Sequence, residues 1–184
     1  MRSAFAGGLF ATLIAGSVAA SGIQIEVEGD ANGTVTIDLL EDIAPQHAAR
    51  ITSLAADGKY NGVVFHRVID GFMAQTGDVE HGKMGSDMRR AGMGGSDMPN
   101  LPAEFSDVAY EKGIVGMARA QSPDSANSQF FIMFDDAPFL NGQYTVVGRV
   151  TGGQDVVDAI KRGTGGNGAV IGQPDMMKTV TVID

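Results

Sequence analysis

The first residue that could do chemistry is an arginine set in apolar surroundings. Arg67 lies among Val64, Phe65, Val68 and Ile69, with Phe72, Met73 and Gln75 close behind. A cation among β-branched and aromatic residues needs a partner or a ligand. Strand alternation puts Arg67 on the face of Phe65 and opposite His66. Phe72 and Met73 supply soft apolar surface, and Gln75 an amide that both donates and accepts. The set holds no trio of nucleophile, base and acid. It suits an apolar ring bound beside a peptide bond, with no covalent step.

Two later segments add to this set. Residues 113–120 contain Met117, Ala118, Arg119 and Ala120, and residues 125–132 contain Ser128, Gln129, Phe130, Phe131 and Ile132. Phe139, Leu140, Asn141, Gly142, Gln143 and Tyr144 follow. Taken singly these residues are ordinary. A lone strand arginine is usually exposed or salt-bridged, and Phe72, Met73 and Phe131 would usually be core. His47 and His81 are too far apart in sequence to form a spaced ligand set, so no metal site is expected. The run Gly92, Met93, Gly94, Gly95 lacks the preceding strand and following Lys-Ser/Thr of a phosphate loop.

The elements that must position these residues are mostly strands. Ile23, Ile25 and Val27 alternate with polar residues, and so do Val35, Ile37 and Leu39, with a turn over 29–33 between them. Pro45 opens a helix whose Ala48, Ile51, Leu54 and Ala55 share one face, and Gly58 ends it. Strands are predicted over 63–69, 72–75, 113–119, 130–134 and 145–150, and at Val180, Val182 and Ile183. A second, short helix is predicted around Val156, Val157 and Ile160. Residues 77–102 form a long Gly-, Ser-, Met- and Asp-rich loop, with a short strand near Met98; such loops are usually functional or mobile. The fold class is mainly β. About eight strands with isolated helices point to a closed antiparallel barrel covered by two α-helices, not a doubly wound parallel sheet.

In pattern and order these segments resemble cyclophilins. The resemblance rests on Phe-His-Arg-x-x-x-Gly-Phe-Met-x-Gln-x-Gly-Asp from Phe65 to Asp78, Met-Ala-Arg-Ala from Met117, and Ser-Gln-Phe-Phe-Ile from Ser128. It runs from about Ile23 to Ile183 and implies a closed eight-stranded antiparallel barrel capped by two α-helices. It implies a peptidyl-prolyl cis/trans isomerase in which Arg67 acts as the key donor and Gln75 orients substrate and guanidinium. Phe72, Met73, Phe131 and Leu140 would hold the prolyl ring. The main chain at Ala118 and Arg119 would pair with the substrate, and Gln129, Phe139 and Tyr144 would complete the wall. No cofactor is implied. Phe139, Tyr144 and Arg119 stand where many eukaryotic members carry Trp, His and Asn, and are similar to bacterial choices. Phe lacks the indole N–H donor, which argues against strong cyclosporin binding. The alternative is a cyclophilin-fold peptide-binding or chaperone module with incidental catalysis.

The first twenty residues differ from the rest. Arg2 precedes an uncharged apolar run over residues 4–15, and Ser17, Val18, Ala19 and Ala20 offer small residues for cleavage. This is the plan of a secretory signal peptide, too short to span a bilayer comfortably. Residues 1–20 are therefore expected to be a leader and residues 21–184 one isomerase domain. The protein is expected in the periplasm or secreted, with no membrane attachment after cleavage, as a monomer. The chain has no cysteine, hence no disulfide. Acidic residues outnumber basic ones 22 to 13, which gives no footprint for nucleic acid. The expected partners are proline-containing peptides and unfolded polypeptides.

Overall fold

The computed structural model describes residues 22–184; the expected leader lies outside them. The chain begins with a hairpin. In β1 (Gly22–Glu28) and β2 (Gly33–Leu39) the apolar residues face inward and the polar ones outward. Their pairing sets Ile23 against Ile37 and Ile25 against Val35. α1 (Pro45–Ala56) follows and buries Ala48, Ile51, Leu54 and Ala55 against the same core. Gly58 lies just beyond its end at φ +65°, a left-handed conformation that glycine adopts without a Cβ penalty.

Then come β3 (Val63–Val64), β4 (Arg67–Ile69), β5 (Met73–Thr76), β6 (Ile114–Met117), β7 (Phe130–Met133) and β8 (Val146–Gly152). α2 (Gln154–Ala159) and β9 (Met176–Ile183) complete the chain. The strands form one antiparallel sheet of order β3-β9-β1-β2-β8-β6-β7-β5-β4. The sheet therefore has nine strands and an open order, where a closed eight-stranded barrel was expected.

The cause is a break in the strand predicted over 63–69. β3 pairs with β9 and β4 with β5, and these two form the edges of the sheet. Between them Phe65 and His66 leave the ladder. Phe65 N–H donates to Asp175 O, and His66 O accepts from Val170 N. The break also shifts the side-chain parity. Phe65 and Val68 both join the interior core, so Arg67 does not share a face with Phe65 as strict alternation would have it. No strand forms near Met98; the nearest β-type pairing in that stretch is an isolated bridge between Leu101 and Ala126.

The sheet is covered on both faces where it carries the site. Ala74, Val115, Met117, Phe130 and Ile132 point into the main core. Their neighbours Met73, Ile114, Phe131 and Met133 point the other way, into a second buried cluster with Tyr110, Ala137, Leu140 and Val146. This explains why β6 and β7 are buried at every position, the pattern of a strand covered on both faces.

Candidate active site

The second face carries a cross-strand row. Arg67 lies opposite Gln75 in β4–β5, Gln75 opposite Phe131 in β5–β7, and Phe131 opposite Gly116 in β7–β6. Opposite residues on one face of a sheet hold their Cβ atoms close enough to interact. The ladder thus fixes the spacing of guanidinium, amide and ring.

The Arg67 guanidinium is held from two sides. Nε–H donates to Asn167 O (2.9 Å), and Nη1–H donates to Gln75 Oε1 (3.1 Å) with Met73 Sδ also 3.8 Å from Nη1. Among the described residues Nη2 has no hydrogen-bond partner. Partial burial lowers the Arg67 pKa from its ordinary value, yet guanidinium remains protonated at any working pH. The result is an oriented cation with two unspent N–H donors.

Beside it is an open cavity of about 370 Å³ lined by Arg67, Phe72, Met73, Gln75, Ala118, Arg119, Phe131, Phe139, Leu140, Gln143 and Tyr144. Its rings lean on one another. Phe72 and Phe139 lie 5.5 Å apart, and Tyr144 meets Phe131 edge-on at 5.9 Å. Phe139 is 64% exposed, so it forms a lip, while Phe131 and Leu140 are buried beneath. The Arg119 guanidinium stacks 4.3 Å above the Tyr144 ring and donates to the carbonyls of Ala120, Gln121 and Gln143. Arg119 therefore ties together the two loops that flank the cavity.

A second cavity of about 370 Å³ adjoins the first and shares Gln75, Ala118 and Arg119 with it. Its other walls include Gly92, Met93, Gly94, Ser96, Asn127 and Gln129. Gln129 thus borders the neighbouring cavity and not the apolar one, while the other residues singled out in the sequence meet around a single cup. His66 packs its ring against Gly92, and burial pushes its pKa below the usual imidazole value. Sequence reasoning missed Gln143 and Asn167. Asn167 acts through a main-chain carbonyl, which every residue type possesses, so no sequence signal marks it.

The family model for cyclophilin type peptidyl-prolyl cis-trans isomerase matches residues 23–182. A probable peptidyl-prolyl cis-trans isomerase of Brucella suis is 52% identical over 188 aligned positions, covering 99% of this chain and 96% of the relative. The crystal structure of the cyclophilin AquaCyp293 from Hirschia baltica superposes with TM-score 0.69 at 26% identity, covering 87% of this chain and 73% of that one. A Cryptosporidium parvum cyclophilin type isomerase, crystallised in the presence of the dipeptide Ala-Pro, superposes with TM-score 0.72 at 24% identity, covering 89% and 99%.

Proposed function

The chain belongs to the cyclophilin-type peptidyl-prolyl cis-trans isomerase family, and from that premise we propose how its residues turn an X–Pro bond. It is a peptidyl-prolyl cis-trans isomerase. Rotation about a peptide bond costs about 18–20 kcal/mol because the nitrogen lone pair is delocalised into the carbonyl. At the twisted transition state that lone pair is localised on a pyramidal nitrogen. A donor aimed at it binds the transition state better than either planar isomer, which is the condition for catalysis.

One observation carries the assignment: Arg67 is pinned by Asn167 O and Gln75 Oε1 at the edge of an apolar cup, with Nη2 unspent. Nη2 supplies the donor, and Gln75 orients the guanidinium. The prolyl ring enters between Phe72, Met73, Phe131 and Leu140. The main chain at Ala118 and Arg119, just past the end of β6, pairs with the substrate backbone. Phe139 and Tyr144 complete the walls of the cup, and Gln129 lines the adjoining cavity. No step needs a cofactor, since no bond is made or broken.

The natural substrates are proline-containing segments of exported, partly unfolded chains, whose X–Pro bonds otherwise isomerise in about 10–100 s. The leader-like residues 1–20 support this reading and a periplasmic or secreted location, with the rest acting as a free monomer.

The test is protease-free exchange NMR on a short Ala-Pro peptide with catalytic amounts of wild type or Arg67→Ala protein. Wild type should accelerate exchange and the variant should largely fail to. If both rescue folding of a proline-limited client equally well, the surface is a docking module and Arg67 is incidental.

A further inference from the structure

We propose that Asp78, through the backbone of Gly92 and Gly94, is a positioning residue for Arg67, acting by way of Gln129 and Gln75; this rests on Arg67 being the reacting donor. Asp78 lines neither cavity and is fully buried. Its Oδ1 accepts from the N–H groups of Glu80 (3.1 Å) and His81 (2.8 Å). Its Oδ2 accepts from those of Gly92 (2.7 Å) and Gly94 (3.0 Å). Among the described residues it has no cation partner, so backbone dipoles alone compensate a buried charge.

The carbonyls of the same two residues, each in the next peptide unit along the chain, face the site. Gln129 Nε2 donates to Gly92 O (3.0 Å) and Gly94 O (2.8 Å), which uses both its N–H groups. Gln129 Oε1 is left to accept from Gln75 Nε2 (2.9 Å). Gln75 Oε1 must then face Arg67 Nη1. Turning either amide over would set donor against donor, and in the Gln75 case an amide N–H₂ against a guanidinium. Two loop carbonyls therefore decide the polarity of the whole row, and Asp78 decides where those carbonyls point. The glycine run that makes a poor phosphate loop has a reason here. Gly92 sits at φ +92°, and a Cβ on Gly94 would lie 2.5 Å from Asp78 Oδ1. Only glycine lets the loop close onto that carboxylate.

Asp78→Asn keeps the side-chain volume but sets an amide donor against backbone donors. Exchange NMR on an Ala-Pro peptide should show kcat reduced about tenfold with KM within about twofold, the mark of misdirected chemistry and not lost binding. The Arg67 Nε–Hε resonance should shift or broaden. Glu104→Gln is the matched control: Glu104, between β5 and β6, also accepts from backbone N–H groups, those of Gln46 and His47 in α1, but lies off the row. It should lose stability and leave both readouts unchanged. If Asp78→Asn does not fold, Gln129→Glu serves, since a carboxylate cannot donate to Gly92 and Gly94 yet still accepts from Gln75; the same changes are expected. An unmoved Arg67 resonance in the folded variant overturns the proposal. So does a kcat loss no larger than in Glu104→Gln, or a loss confined to KM. Wild type that fails to accelerate exchange would sink the isomerase role of Arg67, and the resonance would still decide whether Asp78 orients it.

Discussion

Arg67 and Gln75 face each other across the β4–β5 ladder, with Nη1 3.1 Å from Oε1. Geometry of this kind turns a flexible cation into a fixed donor. Arg67→Ala should lower kcat/KM by two to three orders of magnitude, about 3–4 kcal/mol of transition-state stabilisation. Arg67→Lys should also lose at least about tenfold, because an ammonium cannot hold Asn167 O and Gln75 Oε1 while presenting a third donor. Gln75→Ala combined with Arg67→Lys should cost less than the two losses added. Strictly additive losses in kcat/KM would show that Gln75 does not act through Arg67.

The floor of the cup depends on an absent side chain. A Cβ on Gly116 would lie 2.5 Å from Phe131 Cζ and 2.5 Å from the Tyr110 hydroxyl, and those rings stack 5.8 Å apart. Gly116→Ala should therefore displace Phe131, raise KM for an Ala-Pro peptide and cost about 1–3 kcal/mol in overpacking. The Tyr110 hydroxyl is buried and has no partner among the described residues. Tyr110→Phe should thus be neutral or stabilising by up to about 1 kcal/mol, and should restore part of what Gly116→Ala loses. Thermal melts and KM on the four proteins check this, and an unchanged KM in Gly116→Ala would refute it.

Stability should fall with acid in two stages. Burial holds His66 below its ordinary value of 6.5. Between the two values the unfolded chain binds a proton that the folded one refuses, so stability starts to drop as pH falls below 6.5. Asp78 follows lower. Burial alone would raise its pKa, but the N–H groups of His81, Gly94, Gly92 and Glu80 together hold it below its ordinary 3.8. Its contribution is complete above that value and is lost as pH falls through the depressed one. Urea midpoints measured against pH should show both limbs, and Asp78→Asn should shrink the lower limb while deepening the upper one, since the Asp78 charge opposes the effect of burial on His66. An unchanged lower limb in that variant would mean the four N–H bonds do not favour the charged carboxylate.

How much of this was legible depended on where each residue's partners lie. The β1–β2 hairpin was readable because Ile23, Ile25 and Val27 bury one face and Gln24 and Glu26 expose the other. The segment 63–69 misled because Val63, Val64, Phe65 and Val68 are all buried, so hydropathy cannot show the break. The break is imposed by Asp175 O and Val170 N, about a hundred residues away. The cup was legible because side-chain type matters there and the motifs preserve it. Asn167 was not, since it contributes a carbonyl. Asp78 stood within a quoted motif, yet nothing in the sequence says that its carboxylate reaches Gly92 and Gly94.

The connection between β5 and β6 also controls a helix, and this gives the last prediction. α1 begins at Pro45 after Ala44, which has no side chain able to cap, so the first-turn N–H groups need an acceptor from elsewhere. Glu104 supplies it. Its oxygens accept from the N–H groups of Gln46 and His47 (each 3.2 Å), and Oε2 lies 2.6 Å from His47 Nδ1. Glu104 N–H in turn donates to Thr145 Oγ1 (2.9 Å). The carboxylate at a helix N-terminus is favoured by both hydrogen bonds and dipole, and its pKa is held down accordingly, against the opposing effect of burial. Glu104→Gln should cost about 1 kcal/mol, since one acceptor survives, and Glu104→Ala about 2 kcal/mol or more, since the buried His47 also loses its partner. In urea the midpoint should move with little change in slope, and kcat/KM on an Ala-Pro peptide should stay put because Glu104 borders neither cavity. Equal stability of Glu104→Ala and wild type would show that α1 holds by its buried face alone.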